Sequence, residues 1–85
     1  SSLEGIRAQN RSRLSGLTPG MSAEQVLNVM GTQTVRSMGD VVTNPYRTEM
    51  FEAADGTRFS VLFYYTDLKA EDGAITDDEL TPIVL

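Results

Sequence analysis

Residues 67–79, DLKAEDGAITDDE, hold half of the chain's twelve carboxylates. Acidic side chains around a glycine invite a calcium loop. With Gly73 at the sixth position of a twelve-residue EF-hand loop, Glu79 falls at the twelfth, Asp72 at the fifth and Ile75 at the apolar eighth. Positions one and three are then Leu68 and Ala70, which offer no side-chain oxygen, so the stretch reads as a solvated loop and no metal is expected. Acid–base chemistry would need a carboxyl held in a cleft with a raised pKa. Asp77, Asp78 and Glu79, adjacent to one another near a glycine, are expected to be hydrated and ionised instead. The chain has no histidine and no cysteine, which removes the commonest general base, the common zinc sites and any disulfide. There is one lysine, Lys69, and no Gly-rich phosphate loop. No catalytic residue and no cofactor is expected, and the chain reads as a non-enzyme.

A second constellation is Asn44-Pro45-Tyr46-Arg47, a turn followed by an aromatic and a cation. Exposed aromatic and arginine side chains are frequent anchors of protein interfaces. Tyr46 and Arg47, with Leu62 and Tyr64 on the neighbouring strand, are the expected partner-binding residues. Arg47 is expected to pack over Tyr64.

These side chains must be positioned by a small fold. A chain of 85 residues makes one domain, and a domain this size buries only about 60% of its unfolded surface. It is expected to lean on a partner, a membrane anchor or a second copy, including a homodimer that exchanges helices. The net charge of −5 is uneven. Residues 1–36 carry four arginines against two glutamates, a net of +2, whereas residues 37–85 carry three basic against ten acidic side chains, a net of −7. Nucleic-acid binding draws on phosphate neutralisation, so no nucleic-acid partner is expected. Arg7, Arg11 and Arg13 are placed near a lipid head group or an acidic partner. The longest apolar run, VLFYY at 61–65, is far shorter than a membrane span. The start at Ser1 rather than Met, and a stop inside a strand, lead us to expect a longer natural chain.

The clearest element lies at 17–33. Thr18-Pro19-Gly20 is a turn, and Ser22 and Gln25 have the spacing of a capping box. Met21 can staple onto Val26, and Gly31 supplies a left-handed stop, so a helix is predicted over 23–30 with Val26, Val29 and Met30 inward. Two turns are too few to be stable in isolation, so packing must hold them. A polar helix is predicted over 3–15, its stripe of Ile6, Leu14 and Leu17 interrupted by Asn10. Residues 34–46 lack a clean period and read as a connection with a short strand at 40–43. Asp55-Gly56 predicts a two-residue type I′ hairpin loop within 47–66. That loop sets Arg47 opposite Tyr64 and Met50 opposite Val61. It places Met50, Phe59, Val61 and Phe63 against the helices and leaves Leu62 and Tyr64 partly exposed. Residues 80–85 read as a last strand, which Pro82 confines to an edge or to the strand's start.

The motif Leu17-x-x-Gly20-Met21-Ser22-x-x-Gln25-Val26-x-x-x-Met30-Gly31-Thr32 resembles the signature of the BamE-like (SmpA/OmlA) small outer-membrane lipoproteins of Gram-negative bacteria. The later run from Asn44 to Leu85 looks closer to an uncharacterised lipoprotein branch of that fold group than to BamE. Gln33 stands where the family has proline, and the acidic loop is not part of its pattern. The resemblance implies an α+β two-layer fold, with two N-terminal helices on a three-stranded antiparallel sheet. It also implies a periplasmic address, anchored to the outer membrane through a lipidated cysteine upstream of Ser1, and a binding or scaffold role in envelope assembly. The same unit resembles the modules of β-lactamase inhibitor proteins, which provides an alternative: a module that binds and inhibits a soluble enzyme.

Overall fold

The computed structural model describes residues 3–71 and 73–85. Helix α1 (Leu3–Arg13) runs into a 3-10 turn (Leu14–Gly16) and is followed by α2 (Ala23–Met30). Strands β1 (Thr34–Ser37) and β2 (Asp40–Thr43) form an antiparallel hairpin of their own. Strands β3 (Arg47–Glu52), β4 (Arg58–Tyr65) and β5 (Leu80–Val84) form an antiparallel sheet in the order β3-β4-β5. The fold is α+β, two N-terminal helices with a three-stranded antiparallel sheet, as expected. Strand β2 is the short strand expected at 40–43, and β1, with its pairing to β2, is the addition. Pro82 lies on the edge strand β5, where a missing N–H costs no ladder bond.

Helix α2 carries the predicted N-terminal capping box. The Ser22 amide donates to Gln25 Oε1 at 2.9 Å and the Gln25 amide to Ser22 Oγ at 3.2 Å. Gly31 ends the helix at φ +92, ψ 163, which is an extended glycine-only conformation and not the left-handed helical one expected. A Cβ there would also collide with Gln33 Oε1.

The 3–15 helix ends at Arg13, and its apolar residues do not share a stripe. Ile6 joins Val35, Val42, Tyr65 and Leu80 in one buried cluster. Leu14 and Leu17 pack on a second, made of Val26, Met30, Leu62 and Tyr64. Tyr64 and Tyr65 are consecutive, so their side chains point to opposite faces of β4 and seed the two clusters. Residues 61–65 are buried on both faces except for half-buried Phe63. An unbroken apolar run is what such a strand needs, because neither face meets water.

The β3–β4 pairing corrects the predicted register by one residue. Arg47 pairs with Phe63, Thr48 with Leu62 and Met50 with Ser60. The loop is three residues, Ala54-Asp55-Gly56. The Ala53 amide donates to Thr57 O at 2.7 Å, the Gly56 amide to Ala53 O at 2.9 Å, and Gly56 takes φ +87. This is the turn-plus-bulge loop, one residue longer than type I′. The facing of Met50, Leu62 and Tyr64 is reversed, while Val61 is buried as expected and half-buried Phe63 packs on the cluster that holds Ile6 of α1. Leu62 and Tyr64, expected at the surface, are 5% and 0% exposed. Met50, expected in the core, is 67% exposed. Helix α2 packs on Leu62 and Tyr64 and not on Met50, Val61 and Phe63.

The two-residue loop occurs instead at Met38-Gly39, between paired Ser37 and Asp40, with φ of +50 and +88. Methionine is an unusual residue for positive φ, and it is fully exposed here. Two stability changes follow from these turns. Gly56→Ala should destabilise by about 1 kcal/mol, because alanine resists positive φ. Met38→Asn should stabilise by roughly 0.5 kcal/mol for the converse reason. Urea unfolding monitored by circular dichroism reads both.

Candidate functional site

The acidic loop is folded around its last residue. Glu79 is 1% exposed, which corrects the expectation of a hydrated side chain. Its carboxylate accepts from the backbone amides of Lys69 at 2.8 Å, Thr76 at 2.9 Å and Ala70 at 3.4 Å. These amides, Lys69 first and Thr76 next, hold its pKa below the ordinary value, so it is ionised as expected. Its main-chain carbonyl takes the amides of Thr66 and Asp67. Thr76 and Glu79 form a capping box like that of α2. The T-x-x-E spacing was the available sign of this role.

So held, the loop stands off from α1 and β2 and leaves a cleft of about 470 Å³. Leu3 and Arg7 of α1 and Val41 and Val42 of β2 line one side, with Leu68 and Ile75 of the loop opposite. Tyr65 lies at the bottom, 4% exposed. Arg7 Nη1 donates to the Tyr65 hydroxyl at 3.0 Å, and the guanidinium carbon sits 5.6 Å from the ring centroid. Tyr46, Val41 and Leu68 are large apolar residues exposed at the rim, beside the exposed carboxylates of Asp40 and Glu71. Arg7 is the only cation among the described residues that line the cleft, and no described carboxylate forms an ion pair with it.

The residues expected to bind a partner do not share a surface. Tyr46 is at the cleft rim. Arg47 is on the opposite side of the strand and packs over Phe63, 4.3 Å from its centroid, in place of Tyr64. It donates to Asp77 at 2.8 Å and Glu49 at 2.9 Å, and these bonds raise its pKa further. Leu62 and Tyr64 are interior, so neither presents a side chain to a partner. The Tyr64 hydroxyl donates to Gly31 O at 2.9 Å. The three N-terminal arginines also diverge. Arg7 turns into the cleft, Arg11 pairs with Asp67 at 3.2 Å, and half-buried Arg13 lies toward Gly31.

Asp72 of the calcium alignment lies outside the described residues. Among the described residues, no three acidic side chains gather as metal ligands. Glu79 is spent on backbone amides, Asp77 on Arg47 and Asp67 on Arg11.

Sequence reasoning missed a buried polar pair that positions this site. Asn10 and Asn44 are 0% and 2% exposed. Asn10 Nδ2 donates to Asn44 Oδ1 at 3.0 Å and to Tyr65 O at 2.9 Å, and Asn44 Nδ2 donates back to Asn10 Oδ1 at 2.9 Å. In the sequence Asn10 interrupts an apolar stripe, and nothing in its local spacing pairs it with Asn44.

Two measurements check this arrangement. Asn10→Ala strands the Asn44 amide and the Tyr65 carbonyl, and should cost roughly 3 kcal/mol in chemical denaturation. Glu79→Gln should lower the melting temperature at pH 7. Because the folded pKa of Glu79 is depressed, its contribution is full above the ordinary value of 4.5 and is lost as pH falls through the folded value. The gap between wild type and Glu79→Gln should therefore be constant above about pH 6 and close as pH falls below 4.5.

No curated protein and no solved structure matches the chain. Residues 2–85 match the family described as Protein of unknown function (DUF3192), and the chain belongs to that family.

Proposed function

We propose that this domain is a non-enzymatic protein-binding module of the bacterial cell envelope, serving envelope or outer-membrane assembly. The observation that carries the binding role is the cleft between α1, β2 and the acidic loop, ringed by exposed Val41, Tyr46 and Leu68. Its volume lies within the range of recognition pockets, and its walls combine apolar side chains with convergent polar groups. Those groups suit recognition. A guanidinium offers donors and no acceptor, and its bond to the Tyr65 hydroxyl fixes both groups in the cleft.

The envelope address rests on the resemblance of residues 17–32 to the BamE-like signature. The structure is consistent with the architecture that resemblance implies. Among the described residues no helix is long and apolar enough to cross a membrane. In this reading attachment comes from a lipidated cysteine upstream of Ser1. Tyr46 keeps its place among the partner-binding residues, and Val41 and Leu68 take the places of Leu62 and Tyr64.

Affinity capture from a Gram-negative envelope extract tests the reading. Wild type should retain envelope proteins that Tyr46→Ala combined with Leu68→Asp loses by at least about tenfold, with no change in the melting curve. Equal recovery by both would sink the cleft as the binding surface. Recovery of a soluble enzyme alone would favour the inhibitor-type module.

A further inference from the structure

The chemistry of the cleft narrows what kind of partner segment it takes. Arg7 has five N–H donors in a planar fork, of which one is committed to Tyr65. The chain has twelve acidic side chains against seven basic ones, and Arg11, Arg47 and Arg58 all meet carboxylates. Arg7, like Arg13 and Arg36, meets none among the described residues, and of these three it alone lines the cleft. A guanidinium drawn from water gains most from a planar oxyanion that it can grip through two parallel bonds. Leu3, Val41 and Ile75 line the same cleft, and they favour an apolar body attached to that oxyanion. At the mouth stand Asp40 and Glu71, both exposed. Their charge opposes a polyanion and favours a cation a short distance from the oxyanion.

We propose that the cleft captures the free C-terminus of a partner polypeptide. The terminal carboxylate bonds Arg7, an apolar last side chain fills the space between Val41 and Ile75, and a basic side chain a few residues upstream meets Asp40 and Glu71. Chain ends are a known target of recognition modules, because one carboxylate marks one register. The volume, about 470 Å³, admits the last few residues of a chain and not a folded face. The Arg7 fork, fixed by the Tyr65 hydroxyl at 3.0 Å, is ordered before the ligand arrives, which lowers the entropy cost of binding. The inference rests on the protein-binding role proposed above. It is separable from it, because capture through the rim can hold while dependence on a chain end fails.

The test uses the full chain and four probes followed by amide chemical shifts. The first is a pool of hexapeptides ending in leucine or phenylalanine with a free carboxylate and a lysine three residues earlier. The second is the same pool C-terminally amidated, the third has glutamate for the lysine, and the fourth is octanoate. The free-acid pool should shift the amides of Leu3, Val41, Leu68 and Ile75. Amidation should weaken binding at least about tenfold, since it removes the charge-assisted bonds. Glutamate for lysine should weaken it by roughly threefold. Arg7→Gln should erase the difference between acid and amide, and Arg7→Lys should restore part of it. Val41→Ser, on an exposed strand position, removes apolar surface without bringing a charge to Arg7 and should weaken the free-acid pool by about fivefold. Equal binding of acid and amide pools, no cleft shift with any peptide, or octanoate binding as tightly as the free-acid pool would each overturn the proposal.

Discussion

Two asparagine amides facing each other in a dry interior impose a strict condition on this chain. A buried amide without partners costs about 1–3 kcal/mol, so the pair is tolerable only where every hydrogen and acceptor is met. Asn10 meets that condition with both of its donors and its carbonyl, on Asn44 and on the main chain of Tyr65. Among the described residues no buried side-chain polar atom lacks a partner. The consequence is geometric. Helix α1, the segment joining β2 to β3 and the end of β4 have one relative placement in which the bonds close. Apolar contacts alone would let a helix with a weak stripe slide, and α1 has a weak stripe. Gln9 adds a surface counterpart by accepting from Gln33 at 2.8 Å, while Gln33 O takes the Asn44 amide at 2.9 Å.

How much of this was legible depends on which physical signal each segment carries. The α2 caps were readable because Ser22 and Gln25 act within four residues, and local bonds leave local spacing. The fold class was readable for the same reason, since helix signals precede strand signals along the chain. The hairpin register was not. Alternation fixes register only when one face is wet, and residues 61–65 are apolar without alternation because both faces are covered. The decision then passes to the turn, where Asp55-Gly56 is compatible with loops of two or three residues. Here the Asp55 carboxylate takes the Thr57 amide at 2.9 Å, a bond that also holds its pKa down, and the three-residue loop forms. Strand β1 was hidden because four residues with one inward valine hardly make a period, and Met38 is not a residue that advertises positive φ.

The acidic loop shows a different limit. Its charge was plain, and charge ordinarily means water. One of its carboxylates instead became the hub of the loop, because three backbone amides replace the water it loses. Composition is blind to that choice, but T-x-x-E spacing is not, and it differs from the Ser22–Gln25 box only in lying outside an obvious helix. Among the other described carboxylates of the loop, Asp67 and Asp77 meet the arginines at 11 and 47, Asp78 accepts from the Thr76 hydroxyl, and Glu71 is exposed. Similar residues, within thirteen positions, thus serve structure, surface pairing and the cleft mouth.

Helix α1 joins the fold constraint to the candidate site. Arg7 and Asn10 are three residues apart and so lie on one face of the helix. Both reach the same residue: Asn10 the carbonyl of Tyr65, Arg7 its hydroxyl. Tyr65 is thereby held at its main chain and at the far end of its ring, and Ile6 and Leu80 pack around it. The guanidinium at the bottom of the cleft is therefore set by the network that sets the helix. A change at Asn10 shifts Arg7, and a change in the loop around Glu79 moves the opposite wall. Selectivity at the cleft then comes from the placement of one cation beside apolar side chains.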